Sequence, residues 1–122
     1  MMRTRAIAVM WAACAAFGCG DDDALRALRQ SIQNAKRPLV LIGLGALAPG
    51  AAEALREVHA RCPLPVVTSY EAKGVVDEHD PRCIGAAGLS PRANAIVLPL
   101  VRDADVVVLV GFWCLYSSPS PR

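Results

Sequence analysis

Two uninterrupted runs of apolar residues most constrain what this chain can fold into. They are Leu39-Val40-Leu41-Ile42 and Val106-Val107-Val108-Leu109-Val110. A strand with one face in water alternates apolar and polar residues, whereas a strand of a parallel sheet is covered on both faces and stays apolar throughout. Neither run alternates, so both are predicted to be central parallel strands. Parallel strands need crossover connections, usually helices, and we therefore predict an α/β fold.

Two segments with helical periodicity flank the first run. Apolar residues recur at helical spacing over residues 24–35, and Asp23 is placed to cap the first turn. A second helix is predicted after Pro49 and ends before Pro63. Its predicted buried stripe consists of Ala52, Leu55, Val58 and Cys62. In this interpretation His59 lies among charged residues and faces water.

The rest of the sequence completes a repeating strand and helix pattern. Residues 65–68 and the region around Ile84 are predicted to form two short strands, which brings the total to about four. A third helix begins at Pro91, and the internal Pro99 predicts a kink or a break into two short helices. No periodicity follows Phe112, so residues 113–122 are predicted to be an unstructured tail. The last strand would then form an open edge of the sheet.

A glycine turn joins the first predicted strand to the second helix. Gly43-Leu44-Gly45-Ala46-Leu47-Ala48 has the G-x-G-x-x-A spacing of a dinucleotide-binding turn, which makes Gly43, Gly45 and Ala48 candidate phosphate-binding residues. That fingerprint also requires an acidic residue at the end of the second strand, and the first acid here is Glu71. Two interpretations stay open: a nucleotide site for ADP, FAD or NAD, or a structural turn.

A second candidate site is the polar segment between the second and third strands. It contains Glu71, Lys73, Asp77, Glu78 and His79. A carboxylate beside a histidine can carry out general acid–base chemistry. The alternative, which we favour, is a solvated crossover loop.

Composition excludes other classes of function. The net charge is +2, and no basic run is longer than Lys36-Arg37, so we predict no nucleic-acid partner. The five cysteines form no Cys-x-x-Cys pair, which predicts reduced thiols and no metal site. Residues 1–23 form a basic start followed by an apolar leader. We expect a cytoplasmic domain, with an export signal, or a lipoprotein acylated at Cys19, as the alternative.

Taken together, residues 24–112 resemble the central domain of thiamine diphosphate-dependent enzymes, in the acetolactate synthase and oxalyl-CoA decarboxylase group. The residues that carry the resemblance are, in order, Lys73-Gly74, Pro81, Gly85, Gly88 and Ala104-Asp105-Val106. One departure is His79-Asp80-Pro81, because the family usually places His directly before Pro.

The resemblance implies a Rossmann-like parallel sheet with flanking helices, incomplete here because the family's central domain has six strands. It implies a parent enzyme that uses thiamine diphosphate (thiamine pyrophosphate) and Mg²⁺ to decarboxylate or ligate 2-keto acids or acyl-CoA relatives. The family's catalytic glutamate lies in a pyrimidine-binding domain, and its magnesium-binding Gly-Asp-Gly…Asn segment lies in a diphosphate-binding domain. Neither occurs in this sequence.

The resemblance therefore identifies a non-catalytic fragment, the central scaffold domain, which carries no catalytic residue of its own. Its implied partners are the two missing domains and, in a homo-oligomer, further copies of the chain. In some members, such as acetolactate synthase, the central domain helps to bind FAD; in oxalyl-CoA decarboxylase it binds ADP, and in others it binds nothing. We expect this chain alone to bind no cofactor, and FAD or ADP is the alternative that the resemblance implies. The alternative function is a free-standing nucleotide-binding module.

Overall fold

The computed structural model describes residues 6–10 and 22–112. In this part of the chain helices connect the strands, with one strand-to-strand connection made by a loop, as the sequence predicts. The strands are β1 (Ala6–Met10), β2 (Pro38–Ile42), β3 (Val66–Ser69), β4 (Cys83–Ala87) and β5 (Val106–Val110). The helices are α1 (Asp22–Asn34), α2 (Ala51–Arg61) and α3 (Pro91–Asp103). Short 3₁₀ turns, Leu44–Leu47 and Tyr70–Ala72, follow β2 and β3.

The strands form one parallel sheet in the order β1-β5-β2-β3-β4. The predicted α/β fold and its four parallel strands are confirmed. The fifth strand, β1, comes from the predicted leader and pairs with β5 from Ala6↔Val106 to Met10↔Val110. β5 is therefore an interior strand, and the prediction that it forms an open edge was wrong, because β1 pairs with its outer side. An export signal within residues 1–23 stays a prediction, and residues 113–122 lie outside the described part.

The two faces of the sheet are covered by different helices. On the first face the side chains of Val40, Ile42 and Val108 pack with α1 and α2, through Leu28 and Leu55 among others. The second face packs with α3 and is less completely covered. Its core consists of Leu39, Val67, Val97 and Ala104. Helices on both faces explain why β2 and β5 are apolar without alternation.

Asp105 fixes the amino ends of β2 and β5 relative to each other. Its carboxylate accepts hydrogen bonds from the backbone amides of Lys36, at 2.7 Å, and Arg37, at 2.9 Å. Its own amide donates to the Arg37 carbonyl at 3.2 Å. The hydrogen bond from the Lys36 amide, and then that from the Arg37 amide, hold the pKa of the Asp105 carboxyl below its usual range.

The structure differs from the sequence predictions in two details of the helices. α3 runs through Pro99 as one helix, so the predicted break into two short helices was wrong, and a kink at Pro99 stays a prediction. Pro99 lies on the exposed side of the helix, so water can hydrate the backbone carbonyl that loses its intrahelical donor. In α2 the residue that turns inward is His59 rather than Val58, which is 54% exposed. His59 can be buried because Asp80 supplies a polar partner for its ring.

Candidate functional site

The carboxyl ends of β2 and β5 meet at the point where the strand order reverses. β2 connects to β3 on one side, and β5 lies on the other side. Open α/β sheets bind ligands at such a switch point, outside the carboxyl ends of the strands. The predicted phosphate turn, Gly43 to Ala48, follows β2 at this position, and Gly111 follows β5. The predicted turn therefore lies at the switch point of the sheet, and a binding site there stays a prediction.

The backbone amides of this turn donate hydrogen bonds within the chain. Gly43 N–H donates to the Val110 carbonyl at 2.7 Å, and Gly45 N–H donates to the Gly111 carbonyl at 2.8 Å. Ala48 N–H donates to the Gly45 carbonyl at 3.3 Å. A phosphate cradle needs amides that point at the ligand. The amides of the three predicted residues already have protein partners, and their role in nucleotide binding stays a prediction.

Close backbone packing accounts for the glycines themselves. A Cβ atom on Gly43 or on Gly45 would lie 2.8 Å from the Gly111 carbonyl oxygen. Gly111 has φ of +70°, and a Cβ there would lie 2.4 Å from the Ala46 nitrogen. Only glycine permits both the positive φ and this approach. The three glycines thus form a joint, which we call the glycine joint, that holds the carboxyl ends of β2 and β5 together.

Large apolar side chains are exposed along the edge of the sheet on which this joint lies. Each follows the carboxyl end of a strand, and we call the set the apolar rim: Leu44, Leu47, Tyr70, Leu89 and Phe112. The rim residues come from four successive strand ends, so the apolar surface belongs to one edge of the sheet. Exposed apolar residues that share one region mark contact sites more often than single scattered ones do.

The polar segment of residues 71–79 is a surface loop with two buried valines. The Asp77 carboxylate accepts the His79 amide at 2.9 Å, which lowers the pKa of Asp77, and lies 3.2 Å from His79 Nδ1. Both side chains are largely exposed, so they form a turn rather than an enclosed acid–base pair. Val75 and Val76 are buried in the core and anchor the loop. The polar side chains of this crossover loop are thus solvated, whereas its two valines belong to the core.

Sequence reasoning missed a polar cluster near the amino ends of β3 and β4. The Asp80 carboxylate accepts hydrogen bonds from Arg82 Nε at 2.9 Å and Nη2 at 2.6 Å, and its Oδ2 lies 3.2 Å from His59 Nε2. Arg82 Nη1 also donates to the His59 carbonyl at 2.9 Å. The Arg82 contacts hold the pKa of Asp80 well below its usual range, so Asp80 stays ionised. The signal in the sequence was Asp80 itself, the residue that interrupts the family's His-Pro pattern.

Other kinds of site are not found within residues 6–10 and 22–112. These residues contain no group of three or more His, Cys, Asp or Glu side chains that could hold a metal ion. Among the described helices, none has both the length and the apolar character needed to span a bilayer.

Comparison with known proteins gives a consistent result along most of the chain. The family described as "Thiamine pyrophosphate enzyme, central domain" matches residues 25–120. The chain is 34% identical over 105 residues to 2-hydroxyacyl-CoA lyase 1 of Mus musculus. This alignment covers 84% of this chain and 16% of that protein. It is 36% identical over 90 residues to the acetolactate synthase large subunit of Parasynechococcus marenigrum (strain WH8102), covering 74% and 14%.

A third relative is acetolactate synthase of Bacillus subtilis (strain 168), 33% identical over 97 residues, with 79% of this chain and 17% of that protein covered. The chain therefore spans between 14% and 17% of the length of these three relatives.

Proposed function

The chain belongs to the family of thiamine pyrophosphate enzymes, as their central domain, and on that basis we propose that it serves as the scaffold domain of an enzyme dependent on thiamine pyrophosphate and Mg²⁺. The proposed parent reaction is decarboxylation or carboligation of a 2-keto acid or an acyl-CoA relative. The reacting groups come from the pyrimidine-binding and diphosphate-binding domains of that enzyme. The described residues position those domains.

The apolar rim is the observation that carries this proposal. A surface that holds diphosphate and Mg²⁺ requires oxygen ligands and cationic groups. The rim instead presents leucine, tyrosine and phenylalanine side chains at the edge of the sheet where open α/β folds have their site. Such a surface is suited to contact with the apolar surface of another domain. We therefore assign the rim to the contact with the rest of the enzyme.

The glycine joint gives no support to the alternative of a free-standing nucleotide-binding module. The amides of Gly43 and Gly45 are used to join β2 to β5. Any FAD or ADP bound by this domain would have to use other groups. Nucleotide binding is therefore secondary in this proposal, and the scaffold role is primary.

The proposed compartment is the cytoplasm. Ala6–Met10, part of the apolar run that would serve as a signal, is paired with β5. A strand that belongs to the sheet is not available to an export machinery once the domain has folded. Cell fractionation tests this point: the proposal expects the chain in the cytoplasmic fraction, and recovery from the periplasm or membrane would contradict it.

The scaffold role can be tested in a chimera. In the acetolactate synthase of Bacillus subtilis, the aligned segment of 97 residues is replaced by the matching part of this chain. We expect the purified, folded chimera to bind thiamine pyrophosphate and to retain synthase activity, because a scaffold contributes no reacting group. A matched pair of variants tests the rim: Phe112→Asp should disrupt assembly with the rest of the enzyme, whereas Leu25→Asp on the exposed side of α1 should not. A folded, assembled chimera that has lost cofactor binding would overturn the proposal.

A further inference from the structure

The outer face of helix α3 differs from those of the other two helices. α1 and α2 present charged side chains to water, among them Arg26 and Arg61. In α3, by contrast, residues 93–101 include no charged side chain. Two of its large apolar side chains point into solvent: Ile96 is 63% exposed and Leu98 is 61% exposed. A helix that is apolar on its outer side as well as on its inner side is normally covered by another element.

The most outward residues of α3 form a stripe with a charge at each end. Helical spacing places four exposed residues on the side that faces away from the sheet: Arg92, Ile96, Pro99 and Asp103. Val97, which is buried in the core of the second face, lies on the other side. Arg92 belongs to the first turn, and Asp103 is the last residue of the helix. A positive and a negative charge are therefore separated by about 16 Å along the helix axis, with apolar residues between them.

This stripe is complementary to a second copy of itself. When two α3 helices pack antiparallel about a twofold axis, each residue faces the one that lies equally far from the middle of the stripe in the other copy. Arg92 of one copy then faces Asp103 of the other, and the same pair forms again at the opposite end of the contact. Ile96 faces Pro99 in the middle. Parallel helices would instead bring like charges together, which is unfavourable.

We propose that two copies of this chain form a symmetric dimer through the outer faces of their α3 helices, which pack antiparallel. The contact covers Ile96 and, on either side of the stripe, Leu98 and Leu100, all of which are exposed in the single chain. Burial of these side chains supplies most of the stabilisation. The two pairs of Arg92 with Asp103 set the register and the direction, because charge pairs at the border of an interface contribute more to specificity than to affinity.

The dimer contact and the apolar rim are different surfaces. The rim lies at the carboxyl edge of the sheet, whereas α3 runs from that edge to the amino edge, between the end of β4 and the start of β5. The body of α3 packs on the second face of the sheet, so its outer face is a lateral surface of the domain. The dimer proposal therefore does not rest on the scaffold role, and each can fail without the other.

Charge reversal at the two ends of the stripe tests the proposal in the full 122-residue chain. Arg92→Asp and Asp103→Arg each place like charges at both ends of an antiparallel contact. The double variant restores opposite charges in the reversed order, with the net charge of wild type. Sedimentation velocity across a concentration series gives the dissociation constant of each chain, and circular dichroism establishes that each chain is folded.

We expect the wild-type chain to be a dimer, and each single variant to dimerise at least about tenfold more weakly. The double variant should dimerise like wild type. An equimolar mixture of the two single variants should associate more tightly than either variant alone, because an acidic stripe then meets a basic one. Loss of folding cannot produce this recovery.

A matched pair of substitutions tests the apolar part of the contact. Ile96→Gln should weaken the dimer by about tenfold or more, whereas Leu25→Gln on the exposed side of α1 should leave it unchanged. A wild-type chain that stays monomeric at every concentration, or single charge variants that dimerise like wild type, would overturn the proposal. So would a double variant no tighter than the single ones. A dimer lost in Phe112→Asp but kept in Ile96→Gln would place the contact at the apolar rim and overturn it as well.

Discussion

The glycine joint requires glycine for two reasons, a positive φ and a close approach of the backbone. Alanine substitutions at Gly45 and Gly111 in the joint, and at Gly74 outside it, separate the two. Gly74 has φ of +88°, and a Cβ added there would meet no atom within 4 Å, so Gly74→Ala adds only backbone strain. Gly45 has no positive φ, but its added Cβ would lie 2.8 Å from the Gly111 carbonyl oxygen. Gly111 combines a φ of +70° with a 2.4 Å approach to the Ala46 nitrogen. The three variants therefore differ in a defined way.

The magnitudes follow from the two costs. A non-glycine residue in the left-handed region costs about 1–2 kcal/mol. Overpacking a close contact costs about 1–3 kcal/mol. Gly111→Ala should therefore lower the free energy of unfolding by roughly 2–5 kcal/mol if the two costs add. For a domain of this size each kcal/mol corresponds to about 4–8 °C in melting temperature.

The assay is thermal unfolding followed by circular dichroism, with urea unfolding of the same samples. We expect the loss of stability to be largest for Gly111→Ala, with Gly74→Ala and Gly45→Ala each losing less. If Gly111→Ala melts at or above the temperature of Gly74→Ala, the close approach of the two strand ends is not real. The conclusion that the Gly43 and Gly45 amides are used in hydrogen bonds across this joint would then be wrong.

Three further predictions concern the core, the Asp105 contacts and the edge strand. Val108→Asp places a charge without a partner at a position that is only 4% exposed. It should lower the free energy of unfolding by several kcal/mol, on the order of the whole stability of a domain. A melting temperature within ~1–2 °C of wild type would contradict this. The Asp105 pKa is depressed in the folded state, so this carboxylate stabilises the fold above its ordinary pKa of 3.8, and the stabilisation is lost as the pH falls through the folded pKa. Between about pH 7 and about pH 3, the free energy of unfolding in urea should therefore fall less for Asp105→Asn than for wild type. An equal fall in both proteins would contradict the contact between Asp105 and the amides of Lys36 and Arg37. Deletion of residues 1–10 removes β1 and exposes the outer edge of β5, so sedimentation should show greater self-association, and a sedimentation profile unchanged from that of the full chain would argue against the pairing.

Much of the fold could be predicted because its strands and helices have strong local signals. The apolar run from Val106 to Val110 identified a parallel strand covered on both faces, and the helix stripes identified the crossovers. The edge strand Ala6–Met10 was missed, because an apolar segment near a basic start has the same composition as a signal peptide. Its pairing with β5 depends on a contact between residues about a hundred positions apart, which periodicity cannot reveal.

The place of the glycine turn in the fold could be predicted, whereas its function could not. The glycine spacing located the switch point, yet the same spacing results from a phosphate cradle and from a backbone joint, and only the hydrogen bonds of Gly43 and Gly45 distinguish them. The burial of His59 could not be predicted from its helix alone. His59 lies between Val58 and Ala60, and its partners Asp80 and Arg82 come from a distant loop.

The most direct test of the scaffold proposal is a calorimetric titration of the 122-residue chain with thiamine pyrophosphate in the presence of Mg²⁺. A cooperative thermal melt of the same sample first establishes that the chain is folded. We expect no saturable heat, because the described residues offer an apolar rim and no group of metal ligands at the edge of the sheet. A saturable, Mg²⁺-dependent signal at micromolar cofactor would contradict it, and would assign cofactor binding to this domain itself.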